Sequence, residues 1–124
     1  MNWNTGLLPI EAQMDIPPEG PGERPAEPPS ALPEQALLID VRSYAEYMQG
    51  HLPGAHCLPL PKLDVMIHEL APDPQTPLIV YCASGARAEL ALGQLRRLGY
   101  RQAHYGGAAM ALAKQLRLPL SAGM

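Results

Sequence analysis

Leu78-Ile79-Val80-Tyr81-Cys82-Ala83-Ser84-Gly85-Ala86-Arg87 decides how the rest of this chain is read. Its first four residues are apolar and two are β-branched, which predicts a buried strand. The strand ends on a cysteine. A loop of small residues follows, then an arginine, then a helical pattern. Ala88, Ala91, Leu92, Leu95 and Leu98 fall on one helical face, and Gly99 sits where a helix stops. A thiol so placed stands at the carboxyl end of a strand and faces the amino end of the next helix. The helix dipole and the free loop amides favour an anionic sulfur there, and they can hold a second anion beside it. Gly85 permits the backbone to turn those amides inward.

Outward from this stretch, strands and helices alternate. Ala36-Leu37-Leu38-Ile39 predicts a short buried strand ending at Asp40-Val41-Arg42. Ser43 then starts a helical turn through Tyr44, Tyr47 and Met48. Glu46, at the third helical position, completes a capping box and reads as a cap. Gly50 and Pro53-Gly54 end that turn, and His51 reads as a structural residue within it. Ala55 to Leu58 predicts a short strand. Pro61 to Leu70 predicts a helix with Leu63, Met66, Ile67 and Leu70 on one face. Pro72, Pro74 and Pro77 mark the loop into the strand at Leu78. Gln102 to Tyr105 predicts a last strand. Gly106-Gly107 predicts a turn into a final helix, apolar at Ala109, Leu112, Ala113 and Leu116 and ended by Pro119. Such alternation predicts an α/β fold with a parallel sheet covered on both sides. Sites in such sheets lie beyond the carboxyl ends of the strands, where Asp40 and Cys82 fall.

With 124 residues, 47% of them apolar, the chain holds one domain, or one domain and a tail. Eight of the 15 prolines and a net charge of −5 fall in residues 1–36, against +2 for the rest. Residues 1–35 therefore read as a flexible, acidic, proline-rich extension, and residues 36–120 as the folded domain. Trp3, Leu7 and Leu8 are the residues of the extension that could pack on it. The body is too weakly basic and too poor in aromatics for nucleic acid. No apolar run has the length of a bilayer. No leader stands at Met1 to Ile10, so the expected location is cytoplasmic, or periplasmic if a leader has been removed. Cys57 and Cys82 are too far apart for a CxxC redox motif, and a disulfide between them stays open. Cys57 reads as a small buried residue. His56, His104 and Cys57 lack the spacing of a zinc site, so neither metal nor cofactor is expected.

Several motifs in order now carry a resemblance. Leu38-Ile39-Asp40-Val41-Arg42, Glu46-Tyr47, Gly50-His51-Leu52-Pro53-Gly54-Ala55, the CxxGxR loop Cys82 to Arg87, Leu98-Gly99-Tyr100 and Gly106-Gly107 together resemble a single-domain rhodanese over about Ala36 to Leu116. The resemblance implies a three-layer α/β/α fold with a mostly parallel five-stranded sheet. It implies a sulfurtransferase in which Cys82 carries a persulfide, taking sulfur from thiosulfate or a related small anionic donor. The acceptor would be cyanide, a thiol or a protein thiol. Ala83, Ser84, Gly85, Ala86 and Arg87 would bind the donor, with Arg87 on its sulfonate. Asp40 and Arg42 would support the site. A monomer is expected.

Two positions depart from the family. Ala88 stands where serine is common, and Ala108, Ala109 and Met110 stand where a large aromatic is usual. The competing readings are a persulfide relay to a protein, a non-catalytic partner-binding module, and a cysteine-dependent phosphatase or arsenate reductase. A phosphatase loop has five residues between cysteine and arginine. Here there are four, Ala83 to Ala86, and the smaller ring suits sulfur.

Overall fold

A computed structural model describes residues 27–29 and 31–122. The flexibility expected before Glu27, and the packing of Trp3, Leu7 or Leu8, lie outside the described residues. The elements run β1 (Leu37–Asp40), α1 (Tyr44–Gln49), β2 (His56–Cys57), α2 (Leu63–Leu70), β3 (Leu78–Cys82), α3 (Ala86–Arg97), β4 (Ala103–Ala108) and α4 (Ala109–Leu116), with one 3₁₀ turn at Leu60–Lys62 before α2. None of the helices among the described residues is long and apolar enough to cross a membrane.

The strands form one parallel sheet in the order β2-β1-β3-β4. Its register sets Leu37 opposite Leu78, Asp40 opposite Cys57 and Tyr81, and Leu78 opposite Ala103. The described sheet thus has four strands, not the five that the family resemblance implies. These four lie where the sequence predicts strands. The two central strands, β1 and β3, end side by side at Asp40 and Cys82, as expected.

All five residues of β3 are buried, and they alternate between two cores. Leu78, Val80 and Cys82 join Ile39, Leu63, Ile67, Ala91 and Leu95 on the face covered by α2 and α3. Ile79 and Tyr81 join Leu52, Ala109 and Leu112 on the face that α4 covers. A continuous apolar run is what a strand covered on both faces requires. Each fully buried leucine or isoleucine in these cores contributes about 1.5–3 kcal/mol, so α3 is held firmly behind the cysteine. The second core continues before Ala36. Leu32 packs against it, and Gln115 Nε2 donates to the Pro29 carbonyl at 2.8 Å.

Gly106 and Gly107 are not a turn. They lie inside β4, where Val80 pairs with Tyr105 but Tyr81 pairs with Gly107, leaving Gly106 as an extra residue in a bulge. A Cβ at Gly106 would stand 2.7 Å from the Val80 carbonyl oxygen and 2.9 Å from Ile79 Cγ2. Close approach of one backbone to another explains this glycine. Gly107 supplies a φ of +75°.

Candidate active site

The sequence around Cys82 folds as its pattern dictates. β3 delivers the cysteine to the sheet's carboxyl edge, and Ala83 and Ser84 form an exposed bend. Gly85 then caps α3 with φ +106°, a left-handed conformation that a side chain would strain. α3 starts at Ala86, two residues before its apolar stripe at Ala88.

That geometry turns amides onto the sulfur. Gly85 N donates to Cys82 Sγ at 2.9 Å and Ala88 N donates to it at 3.4 Å. Gly85 belongs to the expected run Ala83 to Arg87. Ala88 lies just beyond it, and it acts through its backbone, so its lack of a serine hydroxyl does not remove the contact. Tyr105, on β4, donates its hydroxyl to the Gly85 carbonyl at 3.4 Å and braces the loop from the side. Cys82 itself is a free cysteine with 0% exposure. The arrangement is a buried sulfur under a short loop, held by two backbone donors at a helix start, a setting that suits a nucleophile.

Arg87 does not stand alone. Its Nη1 donates to Glu46 Oε1 at 2.8 Å and its Nη2 donates to Glu46 Oε2 at 2.9 Å. Arg87 and Glu46 are 37% and 35% exposed, so this two-pronged pair sits at the surface of the site. Glu46 also closes the capping box. Ser43 N and Ser43 Oγ donate to Glu46 Oε1 at 3.1 Å and 3.0 Å, and Glu46 N donates back to Ser43 Oγ at 3.2 Å. The reading of Glu46 as a cap is therefore incomplete: one carboxylate ties α1 to the active-site loop. No spacing rule could have shown it, because the partners are 41 residues apart.

The Arg87 guanidinium, helped by Ser43, lowers the Glu46 pKa from its ordinary 4.5 to about 2. A lowered carboxylate contributes stability above its unfolded value and loses it as pH falls through its folded value. The wild-type protein is therefore expected to melt above Glu46→Gln at pH 6. The gap between them should close between pH 4.5 and about 2, as melting curves over that range will show.

Asp40 and Arg42 form a second pair, at the end of β1. Asp40 is fully buried. Arg42 Nε donates to its Oδ1 at 3.0 Å and Arg42 Nη2 to its Oδ2 at 2.7 Å, while Arg42 N donates to Oδ1 at 3.0 Å. The same Nη2 reaches the Gly50 carbonyl, and the guanidinium lies 5.9 Å from the Tyr81 ring centre. Asp40 is in register with Tyr81, not Cys82, so the pair braces the turn after α1 rather than touching the sulfur. His51 belongs to that turn. It stacks on Tyr47 at 3.7 Å, its Nδ1 lies 2.8 Å from the Tyr47 carbonyl oxygen, and its backbone pairs with Ser121.

Cys57 is free as well, half-buried at the β2 edge. It opens on a groove of about 460 Å³ shared with Tyr44, His56, Met66 and Glu69. Burial pushes its thiol pKa up, which disfavours the thiolate. Among the described residues no three His, Cys, Asp or Glu side chains gather as a metal set.

Residues 27–108 match the model of the rhodanese-like domain. The chain belongs to that family. A sulfurtransferase of Allochromatium vinosum is 37% identical over 67 residues, covering 54% of this chain and 61% of that protein. A thiosulfate sulfurtransferase of Escherichia coli is 33% identical over 69 residues, covering 56% of this chain and 66% of that one. The chain thus spans about three fifths of the first relative's length. Among solved structures, a rhodanese from E. coli with bound anions superposes with a TM-score of 0.66 at 29% identity, covering 72% of this chain and all of that one. The α/β architecture with its parallel sheet is the rhodanese fold.

Proposed function

We propose that this rhodanese-like protein moves a sulfane sulfur from thiosulfate or a related donor to a thiophilic acceptor, cyanide or a thiol, through a persulfide on Cys82. The observation that carries the reading is the pair of amides on Sγ. Gly85 N and Ala88 N supply fixed donors to Sγ, which suits a sulfur nucleophile.

The chemistry balances without a cofactor. The Cys82 thiolate attacks the outer sulfur of thiosulfate. The S–S bond of the donor breaks, and sulfite leaves with its electron pair. A new S–S bond joins Cys82 to the transferred sulfur, which keeps one negative charge. An acceptor nucleophile then attacks that outer sulfur and returns the thiolate. Splitting the transfer in this way replaces one difficult step by two easier ones. Cys82 shows no surface to solvent.

The relatives support the class of reaction, and the four-residue loop supports sulfur over phosphate. The test is direct. The protein is incubated with thiosulfate, and its intact mass is read. Gain of one sulfur, discharged by cyanide or a thiol, is the expected result. An unchanged mass, together with hydrolysis of an aryl phosphate, would overturn the reading.

A further inference from the structure

We infer that Glu46 is a specificity-determining residue, an internal competitor that occupies the anion-binding fork of Arg87 and thereby turns the site away from doubly charged donors. The inference deepens the sulfur-transfer reading and rests on it for the identity of the substrate.

Arg87 is the charged member of the loop, one residue into α3 beyond Ala86. A cation in the first turn of a helix opposes the helix dipole and gains from any anion it can bind. A sulfonate would be such an anion, because the guanidinium fork matches two of its oxygens. In this chain the fork is already filled. Both terminal nitrogens are donated to the two oxygens of Glu46, at 2.8 Å and 2.9 Å. Ser43 donates to Oε1 of the same carboxylate through Oγ and N, so Glu46 cannot swing away without breaking the capping box. A donor that reaches for Arg87 must displace a fixed intramolecular partner.

The charges lead to the same conclusion. Arg87 and Glu46 sum to zero at the mouth of the site, although Arg87 alone would present +1. Freeing Arg87 attracts a dianion about twice as strongly as a monoanion at equal distance. Thiosulfate carries two charges. Methanethiosulfonate, in which a methyl group replaces one oxide, carries one and delivers its outer sulfur by the same S–S cleavage, with methanesulfinate leaving. The two donors therefore separate a charge effect at the mouth from an effect on chemistry at Cys82.

Glu46→Gln is the informative variant, because glutamine keeps the capping box and removes the charge. The KM for thiosulfate is expected to fall about fivefold at low ionic strength, the size of effect that a half-exposed ion pair can exert. The preference for thiosulfate over methanethiosulfonate should rise with it, which a merely structural role would not produce. Glu46→Asp keeps the charge but withdraws it from the fork, and should move the KM the same way by less. A binding arm needs no turnover: sulfate titrated into Cys82→Ser with and without Glu46→Gln, followed by calorimetry, should bind more tightly when the carboxylate is gone. If both donors and sulfate behave alike with and without the Glu46 charge, or if thiosulfate binding weakens, the inference is wrong. If the wild type transfers no sulfur while Glu46→Gln still tightens sulfate, the competitor stands and the sulfur-transfer reading fails.

Discussion

Cys82→Ser is expected to lower sulfur transfer by on the order of a thousandfold or more and to abolish sulfur uptake in the intact mass. A serine hydroxyl at the same position still lies under Gly85 N and Ala88 N, so the loop should keep its shape. What disappears is a sulfur nucleophile able to form a bond to sulfur that is easily reversed. Cys57 is not expected to substitute. It sits at the β2 edge, and burial disfavours its thiolate. A Cys82→Ser protein that still gains one sulfur would move the chemistry to Cys57 and refute the assignment. The companion control, Cys57→Ser, should load as the wild type does.

Asp40→Ala carries the second large effect, on stability rather than chemistry. The carboxylate is wholly buried and accepts from three nitrogens of Arg42. Its removal leaves the Arg42 guanidinium, only 11% exposed, with the Gly50 carbonyl as its remaining acceptor among the described residues. Breaking a buried pair from one side costs about 3–5 kcal/mol. For a domain of this size that corresponds to a fall in melting temperature of at least about 12 °C. Asp40→Asn keeps acceptors for Arg42 and should cost less. The double variant Asp40→Ala/Arg42→Met, which removes both charges, should recover much of the loss. Equal melting temperatures for Asp40→Ala and wild type would show that the pair contributes nothing to the fold.

The parts of this molecule that local rules govern were legible in the sequence. The continuous apolar run at Leu78 to Tyr81 marks a doubly covered strand, and all of β3 is buried. The Ser43–Glu46 capping box is present as the spacing requires. Gly85 takes the positive φ that a loop turning its amides inward demands. The first three strands follow from short apolar runs, and β4, poorly apolar, from its place between two helical patterns; the fifth strand rests on family resemblance, not on residues. Misreading arose where tertiary contact overrode a local signal. A glycine pair is a strong turn cue, but Gly106 answers to the Val80 carbonyl across the sheet. Glu46 obeys its local rule and a distant one together, and only the distant one reaches Arg87. The role of the Ala88 amide depends on how tightly the loop closes, which composition does not encode.

The bulge in β4 also bears on how this protein lives at high concentration. A sheet grows into fibrils by recruiting strands at its open margins. One margin of the described sheet is β2, only two residues long and hemmed by Pro53 and Pro59, too short to template a neighbour. The other is β4, whose backbone is thrown out of step at Gly106 and whose φ turns positive at Gly107. An incoming strand would find no straight run of donors and acceptors to copy. The glycines that let β4 pass close to β3 therefore also make the outer rim a poor seed for self-assembly.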